Sequence, residues 1–148
     1  MTHVMHGRPV EILLVEDNPA DIRLTREAIK EFKIHNTLHV ITNGVEALAF
    51  LRREGGYADA ARPDLVLLDL NLPKKNCLDV LKEIKTDEAL QHIPVVILTA
   101  SKADQDVLDA YYLHANCYIT KPVGLAQFEK IVRSIEEFWF TIVALPQG

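Results

Sequence analysis

Asp69 ends the first part of LLDLNLPKKNC (67–77), an apolar run that breaks into Asn71, Pro73, two lysines and Cys77. Four other chemically able residues stand in comparable places. Glu16 and Asp17 follow VEILLV, Thr99 closes PVVILT, and Lys121 follows CYIT. Three carboxylates brought together repel, and one is forced to hold a proton unless a cation intervenes. A hard divalent ion with oxygen ligands answers that repulsion, and Mg2+ characteristically joins one or two carboxylates to phosphate oxygens. An aspartate beside such an ion, an ammonium and a hydroxyl is equipped to accept a phosphoryl group, because attack by its oxygen gives an acyl phosphate. Cation and ammonium would offset charge on the equatorial oxygens while the hydroxyl orients one of them. Taken singly, each residue has a plainer explanation. Carboxylates form caps and turns, threonine favours strands, and lysine favours surfaces. Their joint arrival at one edge is what argues for chemistry.

That arrival depends on the elements that carry them. Short apolar runs alternate with longer amphipathic stretches: VEILLV (10–15), LHVIT (38–42), DLVLLD (64–69), PVVILT (94–99) and CYIT (117–120). Nearly continuous runs of Val, Ile and Leu suit parallel strands covered on both faces. The stretches between read as helices. The first opens with Asn18 as N-cap and Pro19 in its first turn. The second presents Val45, Leu48 and Leu51 and stops at Gly55-Gly56; the third presents Leu78, Leu81 and Ile84. ADQDVLDAYYLH (103–114) and LAQFEKIVRSIEEFW (125–139) supply the fourth and fifth. Strands alternating with helices predict an α/β domain with a doubly wound parallel sheet. In such a sheet ligands bind outside the carboxyl ends of the strands, where strand order reverses. Four of the five runs deliver a carboxylate, hydroxyl or ammonium to that edge; the second, ending Thr42-Asn43-Gly44, delivers no charge.

Composition narrows the function classes. The 148 residues suffice for one domain with a real core, and the net charge of −5 gives no electrostatic reason to expect nucleic acid or an anionic membrane as partner. No apolar run reaches membrane-spanning length, and MTHVMHGRP has no signal-peptide core, so a cytoplasmic protein is expected. Two cysteines make neither a disulfide framework nor a zinc site, and the six histidines lack ligand spacing. No GxxxxGK or GxGxxG occurs, which argues against a nucleotide or flavin carrier.

LLVEDNP, LLDLNLP, VVILTAS and CYITKP, in that order, resemble the receiver domain of two-component response regulators over roughly residues 10 to 140. The resemblance implies a flavodoxin-like (βα)5 fold with strand order 2-1-3-4-5. It implies that Asp69 accepts phosphate from a sensor histidine kinase, and that Mg2+ is held by Glu16, Asp17, Asp69 and the backbone carbonyl of Asn71. Thr99 and Lys121 would contact the phosphoryl group, Tyr118 would be the aromatic switch residue, and Lys121-Pro122 a cis peptide. REGGYADAARPDLVLLDLNLPKK (53–75) and IEEFWFTIVALP (135–146) are similar to the stand-alone regulators paired with bacterial phytochromes.

Three segments are therefore expected: a flexible N-terminus (1–9), the receiver domain (10–140) and an apolar tail (141–148). With no output domain expected after it, the protein would act through protein contacts or phosphotransfer. FWFTIVAL (138–145) is unusually apolar, so a homodimer built on Phe138, Trp139 and Phe140 is expected. Two other readings stand beside this one. A receiver-like module that takes no phosphate is the first. An aspartyl-phosphate phosphatase is the second, but it needs an acid two residues after the nucleophile, where this chain has Asn71. One departure from the family pattern is local. Asn76-Cys77 occupies the place where receivers commonly have Asp-Gly. If the turn needs a left-handed residue, Asn76 is the one that tolerates it, and Cys77 beside Lys74 and Lys75 would be a candidate reactive thiol.

Overall fold

A computed structural model describes residues 9–32, 35–99, 117–130 and 133. The helix predicted over 103–114 and the dimer residues Phe138, Trp139 and Phe140 lie outside the described residues, as does the side chain of Tyr118.

Five strands form one parallel sheet in the order β2-β1-β3-β4-β5. They are β1 (Val10–Val15), β2 (Asn36–Ile41), β3 (Leu65–Asp69), β4 (Val95–Thr99) and β5 (Cys117–Thr120). The helices between them are α1 (Pro19–Lys30), α2 (Gly44–Arg52) and α3 (Cys77–Thr86), with a further helical segment over 125–130. A short 3-10 helix, Gly55–Tyr57, follows α2 where the sequence suggested only a stop.

Side chains of a strand alternate between faces, and both faces here are buried. Leu13, Val15, Val66, Leu68, Val95 and Ile97 face α2 and α3. Ile12, Leu14, Leu65, Leu67, Val96, Leu98 and Ile119 face Ala28 and Ile29 of α1, together with Val123 and Phe128. Burial on both sides is why the strands read as unbroken apolar runs. Phe32 and Phe128 meet edge to face, with ring centroids 5.1 Å apart, and join α1 to the segment over 125–130.

The first helix starts with the predicted cap, and the next two start with caps not predicted from sequence. Asn18 Oδ1 accepts from the backbone N–H groups of Ala20 and Asp21, with Pro19 in the first turn. Asn43 and Asn76 cap α2 and α3 in the same manner. The buried stripes differ from the predicted ones. In α3 it is Cys77, Val80, Leu81 and Ile84, the i, i+3, i+4, i+7 pattern, while Leu78 is only half-buried. In α2 it is Gly44, Ala47, Leu48, Phe50 and Leu51; Val45 is 49% exposed. The reason is Gly44, whose own face lies against the loop after β3, which turns Val45 outward.

Candidate functional site

Register fixes where the strand ends meet. Val15 pairs with Leu68, so Glu16 and Asp69, the next residues along, stand side by side. Asp69 pairs with Leu98, one residue before Thr99, and Thr99 pairs with Thr120, one residue before Lys121. The five residues singled out by type are thus gathered at the carboxyl edge, near the place where β1 leads to neighbours on both sides.

Three carboxylates converge there. One oxygen each from Glu16, Asp17 and Asp69 lies within 4.8 Å of the others. Glu16 and Asp69 are buried and Asp17 is exposed, so the cluster opens to solvent through Asp17. Lys121 reaches in from beyond β5. Its Nζ lies 2.8 Å from Glu16 Oε1, 2.9 Å from Asp69 Oδ1 and 3.0 Å from Asp21 Oδ2. Its backbone N–H donates to the Thr99 carbonyl at 2.8 Å, and the peptide to Pro122 is cis, as expected.

Charge at the site is unbalanced. Among the described residues, one ammonium stands against three clustered carboxylates and Asp21. Burial pushes the Glu16 carboxyl up to about 7, the charge of Asp69 adds to this, and hydrogen bonds from Lys121 and Asn18 oppose it. Burial works against the Lys121 ammonium as well, but its hydrogen bonds to Glu16, Asp69 and Asp21 prevail and hold it above the ordinary lysine value. A site rich in hard oxygen donors with excess negative charge fits a divalent ion of the Mg2+ type. The Thr99 hydroxyl adds a second indication. It is fully buried and, among the described residues, has no hydrogen-bond partner. A buried hydroxyl without a partner calls for an explanation, and a ligand oxygen at the strand edge supplies one.

The loop after β3 departs from expectation. Asn76 has φ −71° and serves as the N-cap of α3; the left-handed residue is Lys74, at φ 67°. Cys77 is 1% exposed in the first turn of α3, and burial pushes its thiol up to about 12, helped by the charge of Asp69. It is a packing residue beneath the acceptor loop, which corrects the reactive-thiol reading. The loop is held by the ion pair of Lys75 with Glu83, which also meets Arg52 at 3.2 Å.

Asp21 is the site residue that sequence reasoning missed. A carboxylate in the first turn of a helix has a sufficient explanation in the helix dipole, which hides any other role. Its place four residues after Asp17, at the start of the helix that leaves the same strand end, was the available signal. The cavity of about 370 Å3 between Leu51, the arginines 52, 53 and 62, and Asp87, Ala89 and Leu90 shares no residue with this site.

Comparison with known proteins gives consistent results. The family described as "Response regulator receiver domain" matches residues 12–133. Response regulator Rcp1 of Synechocystis sp. is 49% identical over 138 residues, 93% of this chain and 94% of that protein. The crystal structure of the phosphorylated cyanobacterial phytochrome response regulator RcpA is similar at 53% identity with a TM-score of 0.74, covering 88% of this chain and 94% of that one. The Mn2+-bound form of Rcp1 matches at 48% identity with a TM-score of 0.72, over 90% of this chain and 96% of that one.

Proposed function

The chain belongs to the response regulator receiver domain family, and from that premise we propose that Asp69 accepts a phosphoryl group from a sensor histidine kinase of the phytochrome type. The observation that carries the reading is the gathering at one sheet edge of Asp69, Glu16, Asp17 and Lys121, with a buried Thr99 hydroxyl that has no partner among the described residues.

The reaction follows from these positions. An Asp69 oxygen attacks phosphorus as the P–N bond of a phosphohistidine breaks. The acyl phosphate forms on Asp69 and the imidazole leaves with its electron pair, taking up a proton from solvent. Asp69 is buried among groups that fix its orientation, so positioning replaces any need for a strong nucleophile. Lys121 Nζ, already 2.9 Å from Asp69 Oδ1, donates to a phosphoryl oxygen as charge builds there. The Thr99 hydroxyl donates to another. Glu16 and Asp17, with Asp69 and the Asn71 carbonyl, would hold Mg2+, which when bound offsets the negative charge of donor and acceptor. Acceptance of the phosphoryl group would change what Thr99 binds, and Tyr118, two residues before Thr120 in β5, would be the aromatic residue that responds. The apolar residues Phe138, Trp139 and Phe140 suit a second copy of the chain as partner.

The test is covalent labelling. With Mg2+ and acetyl phosphate the protein should gain one phosphoryl group that is lost in acid or hydroxylamine, and Asp69→Asn should gain none. Labelling that persists in Asp69→Asn would remove Asp69 from its role.

A further inference from the structure

We propose that Asp21 is a positioning residue for Lys121. It draws the ammonium toward the rim of the carboxylate cluster, so that Asp69 and the metal-binding oxygens stay open to an incoming cation and phosphoryl group. The inference rests on the phosphoacceptor reading above.

A lysine ammonium has three donors and no acceptor. Here the Lys121 Nζ lies at ion-pair distance from three carboxylates, Glu16 at 2.8 Å, Asp69 at 2.9 Å and Asp21 at 3.0 Å, and the contact with Asp21 is the one with hydrogen-bond geometry. Two of the three partners belong to the cluster that would hold a cation; Asp21 does not. Lys121 and a bound cation therefore compete for the charge of Glu16 and Asp69. Asp21 is the partner that pulls the other way. Its side chain is 28% exposed, against 0% for Glu16 and 4% for Asp69, so it marks the rim while they form the floor.

The pull has a firm base. The Asp21 N–H donates to Asn18 Oδ1 at 3.1 Å, and the Asn18 N–H donates to Glu16 Oε2 at 3.2 Å. One capping residue thus ties the start of α1 to the floor of the site. From the other side, the Lys121 N–H is fastened to the Thr99 carbonyl at 2.8 Å. Between these anchors the ammonium has little freedom. When Asp69 is phosphorylated, its contact with Lys121 is the one exchanged for a phosphoryl oxygen, and the contact with Asp21 is kept. Without Asp21 the ammonium settles onto Asp69 and Glu16, opposes the cation, and must find its phosphoryl partner from a less ordered start.

Two measurements on the full chain test this: the initial rate of labelling by acetyl phosphate, and Mn2+ affinity from the paramagnetic resonance signal of free Mn2+. Asp21→Asn should slow labelling about fivefold to twentyfold and weaken Mn2+ about threefold to tenfold, with Asp21→Glu recovering most of both. An α1-stabilising role would not depend on the lysine, so the Mn2+ measurement is repeated in Lys121→Met. There Asp21→Asn should change the affinity less than about twofold. Equal weakening in the two backgrounds, or unchanged labelling in Asp21→Asn, overturns the proposal while leaving the phosphoacceptor reading intact. A wild-type protein that takes no label overturns that reading instead, and the Mn2+ cycle still decides the case of Asp21.

Discussion

Cys77 and Thr99 are both small, buried residues at strand or helix ends near Asp69, yet their surroundings give them opposite characters. Thr99 keeps a buried hydroxyl with no partner among the described residues, a cost of about 1–3 kcal/mol that a packed core would not carry without return. Cys77 has been taken out of chemistry by the same burial. With its thiol pushed up to about 12, almost none is thiolate at pH 8, and the nucleophile is the thiolate. Iodoacetamide should modify Cys77 at least about 100-fold more slowly in the native protein than in urea, followed by peptide mass spectrometry at residue 77. Equal rates in the two states would return it to the list of reactive groups. Asp69, Glu16, Asp17, Thr99 and Lys121 are legible in the sequence because each terminates an apolar run that leaves no doubt about its direction. Asp21 is not, since its place in a helix's first turn is already explained by capping and dipole. Nor is Lys74: nothing in a lysine announces φ 67°, and the expectation passed to Asn76, which the helix start claims as a cap.

Elements position the acceptor loop through one close approach. The loop from Leu70 to Asn76 leaves β3 and turns back into α3, and α2 begins directly against it. The Gly44 N–H faces the Pro73 carbonyl at 3.4 Å. A Cβ added at Gly44 would sit 2.4 Å from the Lys75 carbonyl oxygen and 2.8 Å from a Val80 methyl. The first of these is backbone, which cannot swing aside. Gly44→Ala should therefore force α2 and the acceptor loop apart, lowering stability by about 1–3 kcal/mol in urea unfolding and slowing the labelling of Asp69. Gly56→Ala is the matched control. Nothing lies within 4 Å of its Cβ and its φ is not positive, so the change should stay within about 0.5 kcal/mol. If the two variants prove equally stable, the contact does not hold the loop. The presence of a helix after Asn43 was legible from the apolar spacing. Its buried face was not, because Gly44 reads as a boundary in sequence and acts as a packing surface in space. The short helix Gly55–Tyr57 was hidden for a similar reason: two glycines signal a stop, while Tyr57 anchors the turn by packing on Phe50, ring centroids 5.5 Å apart, and by its hydroxyl donating to Glu46 at 2.8 Å.

At the scale of the whole molecule, the parallel sheet concentrates charge that the chain as a whole carries only mildly. A net charge of −5 is spread over 148 residues, yet at one edge Glu16, Asp17, Asp69 and Asp21 gather around the single ammonium, that of Lys121, found there among the described residues. The core beneath them, buried on both faces of the sheet, keeps those carboxylates from moving apart, so packing energy holds an electrostatic misfit in place. A divalent cation held by these carboxylates would remove the misfit and would bind only the folded arrangement. Binding then stabilises the fold by mass action, about 1.4 kcal/mol at ten times the dissociation constant. For a domain of this size that corresponds to a rise in Tm of about 3–5 °C in Mg2+, reversed by EDTA and absent in NaCl of equal ionic strength. Asp17 is exposed, so Asp17→Asn should fold normally and lose most of the rise. An equal rise in wild type and Asp17→Asn would mean that the ion acts elsewhere on the surface, and that the three carboxylates are not its ligands.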